Sequence, residues 1–180
     1  DNNEQIYISA YNSANLAVIW RWKVGSNIIE CFPTKDKDVA RTITILNNND
    51  IYITAGQAVQ PANLSMRRIK YEKDYIFSVW SKDIKCPNSK CELKNSQSIF
   101  NNKNNLIYTF SSFNNNLIFT TLQADTGLTV GNKYQTNNTC SYSYDMILRN
   151  DYLYLIFYWD DGAKIFLYND KGSFEAYHFA

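Results

Sequence analysis

Asp50-Ile51-Tyr52-Ile53-Thr54 is the phrase that decides the fold, because the chain says it four times. It appears first as Gln5-Ile6-Tyr7-Ile8-Ser9. It returns as Leu106-Ile107-Tyr108-Thr109-Phe110 and as Tyr152-Leu153-Tyr154-Leu155-Ile156. With Tyr7, Tyr52, Tyr108 and Tyr154 as anchors, the spacings are 45, 56 and 46 residues. β-Branched and aromatic residues dominate each phrase, as fits a pleated, half-buried surface. The long spacing is explained by an insertion of about ten residues from Lys82 to Asn95, which holds two of the four cysteines.

The flanks of each anchor repeat as well. Thr42 to Leu46, Ser98 to Phe100 and Asp145 to Leu148 each run into an Asn-rich turn and then into the anchor strand, which is a hairpin signal. Asparagine is frequent, with 23 residues in clusters such as Asn47-Asn48-Asn49 and Asn104-Asn105, and it suits turns because it tolerates left-handed backbone. After the anchors come strand-like stretches at Leu16 to Val24, Leu64 to Tyr71, Leu117 to Leu122 and Lys164 to Tyr168. A fourth stretch closes each unit, at Ile28 to Phe32, Tyr75 to Trp80, Thr129 to Tyr134 and Phe174 to Phe179.

The expected fold is all-β: four consecutive four-stranded antiparallel blades of a β-propeller. A unit of about 45 residues with four short strands is the sequence mark of such a blade. One blade cannot cover both faces of its own sheet, so blades stack, and strands such as Tyr152 to Tyr158 are apolar on both faces accordingly. The blades span about 1–34, 39–82 with the insertion 82–95, 97–138 and 141–180, as a single domain or fragment. The first lacks its innermost strand, since only five residues precede Ile6; a continuing chain, upstream sequence or another copy could supply it. A β-sandwich is the alternative.

The chain resembles the broad β-propeller superfamily. Ala124-Asp125-Thr126-Gly127, after Leu117 to Leu122, looks like the blade turn of quinoprotein-type propellers, and Asn169-Asp170-Lys171-Gly172 is a looser version. The resemblance covers nearly the whole chain and names no subfamily. Trp159-Asp160 is the single Trp-Asp pair, so the class named for that pair is not carried over, and no family site residue transfers.

Composition narrows function by exclusion. Eighteen basic and 17 acidic residues give a net charge of +1, which offers no electrostatic case for nucleic acid or an anionic membrane. The longest apolar run, Tyr152 to Trp159, is far short of the roughly 20 residues of a membrane-spanning helix. Asp1 rather than Met opens the chain, which fits a processed N-terminus or a trimmed fragment.

No catalytic or cofactor-binding constellation emerges. His178 is the sole histidine and reads as a strand residue. Asp160-Asp161-Gly162 reads as a hairpin turn, and Asp36 and Asp38, alternating with lysines, as a solvated loop. With 6 glycines there is no phosphate-cradling loop, and neither a calcium-loop pattern nor a zinc spacing is present.

Cys86 and Cys91 bracket a turn-like Pro87-Asn88-Ser89-Lys90, so a local disulfide suits them. Cys31 and Cys140 are the remaining disulfide candidates. Asn63 and Asn137 head glycosylation sequons, and two is no excess over the about three expected by chance. Trp20-Arg21-Trp22 puts both indoles on one strand face. Between blades these rings are core; exposed, they and loop tyrosines such as Tyr142 and Tyr144 would contact sugars or a partner.

The expectation is a non-enzymatic extracellular or cell-surface scaffold: a receptor ectodomain piece or a self-assembling surface or filament subunit. Its partner would be another protein or copies of itself, joined through an open strand edge. A carbohydrate-binding module and a non-catalytic part of a larger propeller enzyme are the alternatives. No cofactor, metal or nucleic acid is expected.

Overall fold

In the computed structural model every regular element is a strand among the residues described, which are 5–11, 17–33, 38–46, 50–57, 63–72, 75–85, 93–113, 116–130, 134–136, 143–159, 162–169 and 174–179. Fifteen strands form four antiparallel sheets, each from consecutive strands. The first sheet has three strands: β1 (Gln5–Tyr11), β2 (Ala17–Lys23) and β3 (Ile29–Pro33). The second has β4 (Asp38–Ile45), β5 (Ile51–Gln57), β6 (Asn63–Glu72) and β7 (Tyr75–Lys85). The third has β8 (Leu93–Asn101), β9 (Leu106–Phe113), β10 (Asn116–Gln123) and β11 (Tyr134–Thr136). The fourth has β12 (Ser143–Arg149), β13 (Tyr152–Trp159), β14 (Gly162–Tyr168) and β15 (Phe174–Phe179). The chain divides into two compact units, Asp1–Leu93 and Lys94–Ala180, and each contains two sheets.

The four anchor tyrosines lie on β1, β5, β9 and β13, the first strand of the three-stranded sheet and the second of each four-stranded one. Successive strand residues point to opposite faces, so each sheet has an anchor face, carrying the tyrosine, and a flank face, carrying the residues on either side of it. In the first unit, Tyr7 and Ile19 of the first sheet's anchor face pack on the second sheet's flank face, at Ile51, Ile53 and Ile69. In the second unit, Tyr108, Phe110 and Phe119 of the third sheet's anchor face pack on the fourth sheet's flank face, at Leu153, Leu155 and Tyr168. Phe119 and Tyr168 stack with ring centroids 4.8 Å apart. The equivalence is positional: Ile19 pairs with Ser9 as Phe119 pairs with Phe110, and Ile69 pairs with Ile51 as Tyr168 pairs with Leu153.

The turns follow from backbone chemistry. Asn150 (φ 51°) and Asp151 (φ 67°) form the two-residue link from β12 to β13, with positive φ at both positions as a type I′ turn demands. Between β8 and β9, Asn105 is left-handed (φ 54°), and the Asn101 side chain accepts a bond from the Lys103 N–H at 3.0 Å.

Two strand expectations shift. The last strand of the third sheet is Tyr134–Thr136, not Thr129 to Tyr134. Thr129 makes only an isolated bridge to Leu122, because the Gly127 turn (φ 69°) returns the chain tightly, and the Val130 N–H then donates to Thr121 O at 2.9 Å. The insertion is partly sheet as well. β6 and β7 stay paired as far as Leu64–Ile84 and Asn63–Lys85, and both Leu64 and Ile84 are buried, so the added residues lengthen a hairpin. Asp38, expected in a loop, heads β4 and pairs with Gln57.

Candidate interaction surface

The flank face of the first sheet is apolar, open over two rows and closed at Val18, which is buried in the row beyond. Register sets Ile6, Trp22 and Ile29 in one row and Ile8, Trp20 and Cys31 in the next. Ile8 is 55% exposed, Ile29 56% and Trp20 40%, far above what a covered sheet face shows. Trp22 is half-buried, and Cys31 is an exposed free thiol. Between blades the indoles would be covered; here Trp20 is open and Trp22 half-buried.

Local chemistry anchors Trp22 at the edge of the face. The Trp22 Nε1–H donates to Ser26 O at 2.8 Å, tying the indole to the turn after β2, and the Ser26 N–H closes that turn onto Lys23 O at 3.0 Å. Gly25 sits in this turn at φ 80°, where any side chain would be strained. The polar members of the same strands point the other way. Arg21 bonds Glu30 directly across the sheet at 2.5 Å. Burial opposes the charge on Arg21, but Glu30 outweighs it and the guanidinium pKa lies above its ordinary value. Burial raises the Tyr7 phenol against the opposing effect of Arg21. Gln5, Arg21, Lys23, Ser26, Ile28 and Glu30 line a cavity of about 210 Å³ on this polar side. Within it Arg21 and Glu30 are already paired with each other.

A second open face lies on the fourth sheet, the anchor face. Tyr152, Tyr158 and Ile147 are 40%, 41% and 48% exposed, and Tyr154, Ile156 and Ile165 are half-buried. The Tyr158 hydroxyl donates to Asp145 Oδ2 at 3.2 Å, and desolvation together with that carboxylate raises its pKa.

The other candidate residues do not gather here. Tyr144 lies in β12 opposite Phe157, Asn63 heads β6 opposite Lys85, and His178 lies in β15 opposite Ile165. Cys86, Cys91, Cys140, Asn137, Tyr142, Asp36, Asp160 and Asp161 fall outside the described residues. Among the described residues no three His, Cys, Asp or Glu side chains come together as a metal site, and no helix is long and apolar enough to cross a membrane. Sequence reading found the two tryptophans and missed Ile6, Ile8, Ile29 and Cys31 as their neighbours. The missing signal was the pairing register, which no local stretch of sequence states.

No protein-family model matches the sequence, and no curated protein matches it. Among solved structures, the chain is similar to prolyl oligopeptidase B from Galerina marginata, bound in that structure to a 35mer hydrolysis and macrocyclization substrate. Identity is 12% and the TM-score 0.48; the match covers 99% of this chain and 26% of that one. A likeness of that strength assigns neither activity nor site.

Proposed function

We propose that this chain is a non-enzymatic protein-interaction scaffold, built of propeller blades, that binds through uncovered apolar sheet faces. The observation that carries the reading is the flank face of the first sheet, with two tryptophans, three isoleucines and no charged side chain in its two rows. Such a face buries apolar area against a partner. The blade reading is supported by each sheet being a meander of its own consecutive strands, whereas sandwiches exchange strands between sheets. An extracellular or cell-surface address belongs to the proposal; the even cysteine count and the sequons at Asn63 and Asn137 are compatible with it.

The test is binding of an apolar-surface dye to the dilute chain. Saturable binding is expected, and Ile8→Glu together with Ile29→Glu should remove the part of it that belongs to the first sheet while the β-sheet circular dichroism persists. A folded chain that binds no dye would overturn the reading.

The exposure of Trp20 favours a second reading, a carbohydrate-binding module. It expects saturable quenching of tryptophan emission by a glycan, lost in Trp20→Ala. No quenching across neutral and acidic glycans would remove it.

A further inference from the structure

The sheet-on-sheet contact inside each unit has the same polarity. In each unit an anchor face meets a flank face, Tyr7 against Ile51 and Ile53 in one, Tyr108 against Leu153 and Leu155 in the other. The two open faces are one of each kind: the flank face of the first sheet and the anchor face of the fourth.

We infer that these two open faces dock head to tail between copies of this chain, the fourth sheet's anchor face of one copy seating on the first sheet's flank face of the next. This rests on the scaffold reading above and names its partner, a second copy. The repeat gives the contact residue by residue. Ile165 pairs with Ile156 as Ile19 pairs with Ser9 and Phe119 with Phe110, so it holds the position that drives into the neighbouring sheet. Trp22 pairs with Ile6 as Ile69 pairs with Ile51 and Tyr168 with Leu153, so it holds the receiving position. Ile19 and Ile69 share one buried cluster and Phe119 stacks on Tyr168 inside the units; Ile165 therefore meets Trp22 between copies. Tyr154, the anchor, comes down on Ile6 and Ile8 as Tyr7 does on Ile51 and Ile53.

The receiving rows carry no charged side chain. On the incoming face Asp145, which already engages Tyr158, and Arg149 lie opposite Ile156 and Tyr152 and share that face. Burying an unpaired charge is costly, so these two groups belong at the solvated rim of the contact. Because the two surfaces differ, the contact is heterologous. It propagates into a ring or a filament and does not stop at a two-fold dimer.

The experiment is the mass of the intact chain by sedimentation equilibrium over a concentration series, with Ile8→Glu on the receiving face and Ile147→Glu on the incoming one. Both positions are about half exposed, so the folded monomer tolerates them; Trp20→Glu and Tyr152→Glu on the same two faces replace either that loses its circular dichroism. The wild-type chain should associate beyond a dimer, and each variant alone should stay at 20.9 kDa. An equal mixture of the two variants should form a species of twice that mass and no larger, since one intact face of each kind survives. A wild type that remains monomeric overturns the inference, as does association that survives Ile147→Glu or a mixture that does not recover. Dye binding by a monomeric wild type would leave the scaffold reading standing; its absence from the dilute chain would remove both.

Discussion

Arg68 reaches Asp50 with two nitrogens, Nε at 2.8 Å and Nη2 at 2.5 Å, both to Oδ2. The Asp50 side chain is 4% exposed and that of Arg68 15%, so the pair is nearly sealed from water. Asp50 ends the turn into β5, and its carbonyl accepts the Leu46 N–H at 2.8 Å, so the ion pair pins the β4–β5 hairpin to β6. Removing one partner strands the other charge. Arg68→Met should therefore destabilise the chain by about 3–5 kcal/mol, and adding Asp50→Asn should recover part of that. Urea denaturation of the two variants checks this, and a loss below about 1 kcal/mol for Arg68→Met would show the pair to be solvated.

The Phe119–Tyr168 stack spans the third and fourth sheets, with both rings buried. Truncation leaves a cavity between two sheets that cannot close over it. Phe119→Ala should cost about 3–5 kcal/mol. A double-mutant cycle of Phe119→Leu with Tyr168→Leu should return a coupling of about 0.5–1.5 kcal/mol, the ring contact beyond area burial. Additive losses would mean that the rings are neighbours without a specific interaction.

Alkaline pH should weaken the first unit. Burial raises the Tyr7 phenol above its ordinary value of 10.0, with Arg21 opposing and Glu30 adding to the shift. The folded chain thus holds that proton more tightly than the unfolded chain. The sign follows from linkage: the stabilisation is complete below pH 10.0 and is lost as pH rises through the folded-state pKa. Tyr158, also raised, acts in the same direction. Unfolding midpoints measured from pH 8 upward, with Tyr7→Phe alongside, should show a flatter alkaline fall in the variant. An equal fall in both would assign the loss to other groups.

The anchor phrases made the strands legible because pattern along a strand is local information. Tyr7, Tyr52, Tyr108 and Tyr154 each hold the corresponding strand position; an Asn cluster did supply the turn at Asn105, and a single Asn the one at Asn150. Where strands end was less legible. Ile84 continues β7 because Leu64 lies opposite it, and Thr129 leaves the sheet because Gly127 turns early. The fate of a face was not legible at all. Ile6, Ile8 and Trp20 are as apolar as Ile51, Ile53 and Ile69, and only the presence or absence of a neighbouring sheet separates buried from exposed. Burial is a property of the pairing partner, which the strand's own sequence does not contain.

The β12–β13 turn tests whether the repeat's asparagines are there for backbone reasons. Asn150 at φ 51° and Asp151 at φ 67° both sit in the left-handed region, and Asn150 is exposed, so its side chain has little packing to lose. Alanine keeps the Cβ but loses the short polar side chain that lets asparagine tolerate left-handed backbone. Asn150→Ala should destabilise the chain by about 1–2 kcal/mol, whereas Asn150→Gly should be near neutral because glycine adopts this φ without strain. Asp151 also accepts a bond from Lys103 Nζ at an exposed site. That contact is worth little, at most about 1 kcal/mol, so Lys103→Ala should leave the unfolding midpoint almost unchanged. Thermal unfolding of the three variants decides between the two causes. Equal losses in Asn150→Ala and Asn150→Gly would assign the position to side-chain contacts, and a large loss in Lys103→Ala would make the ion pair, not the left-handed backbone, the device that closes this hairpin.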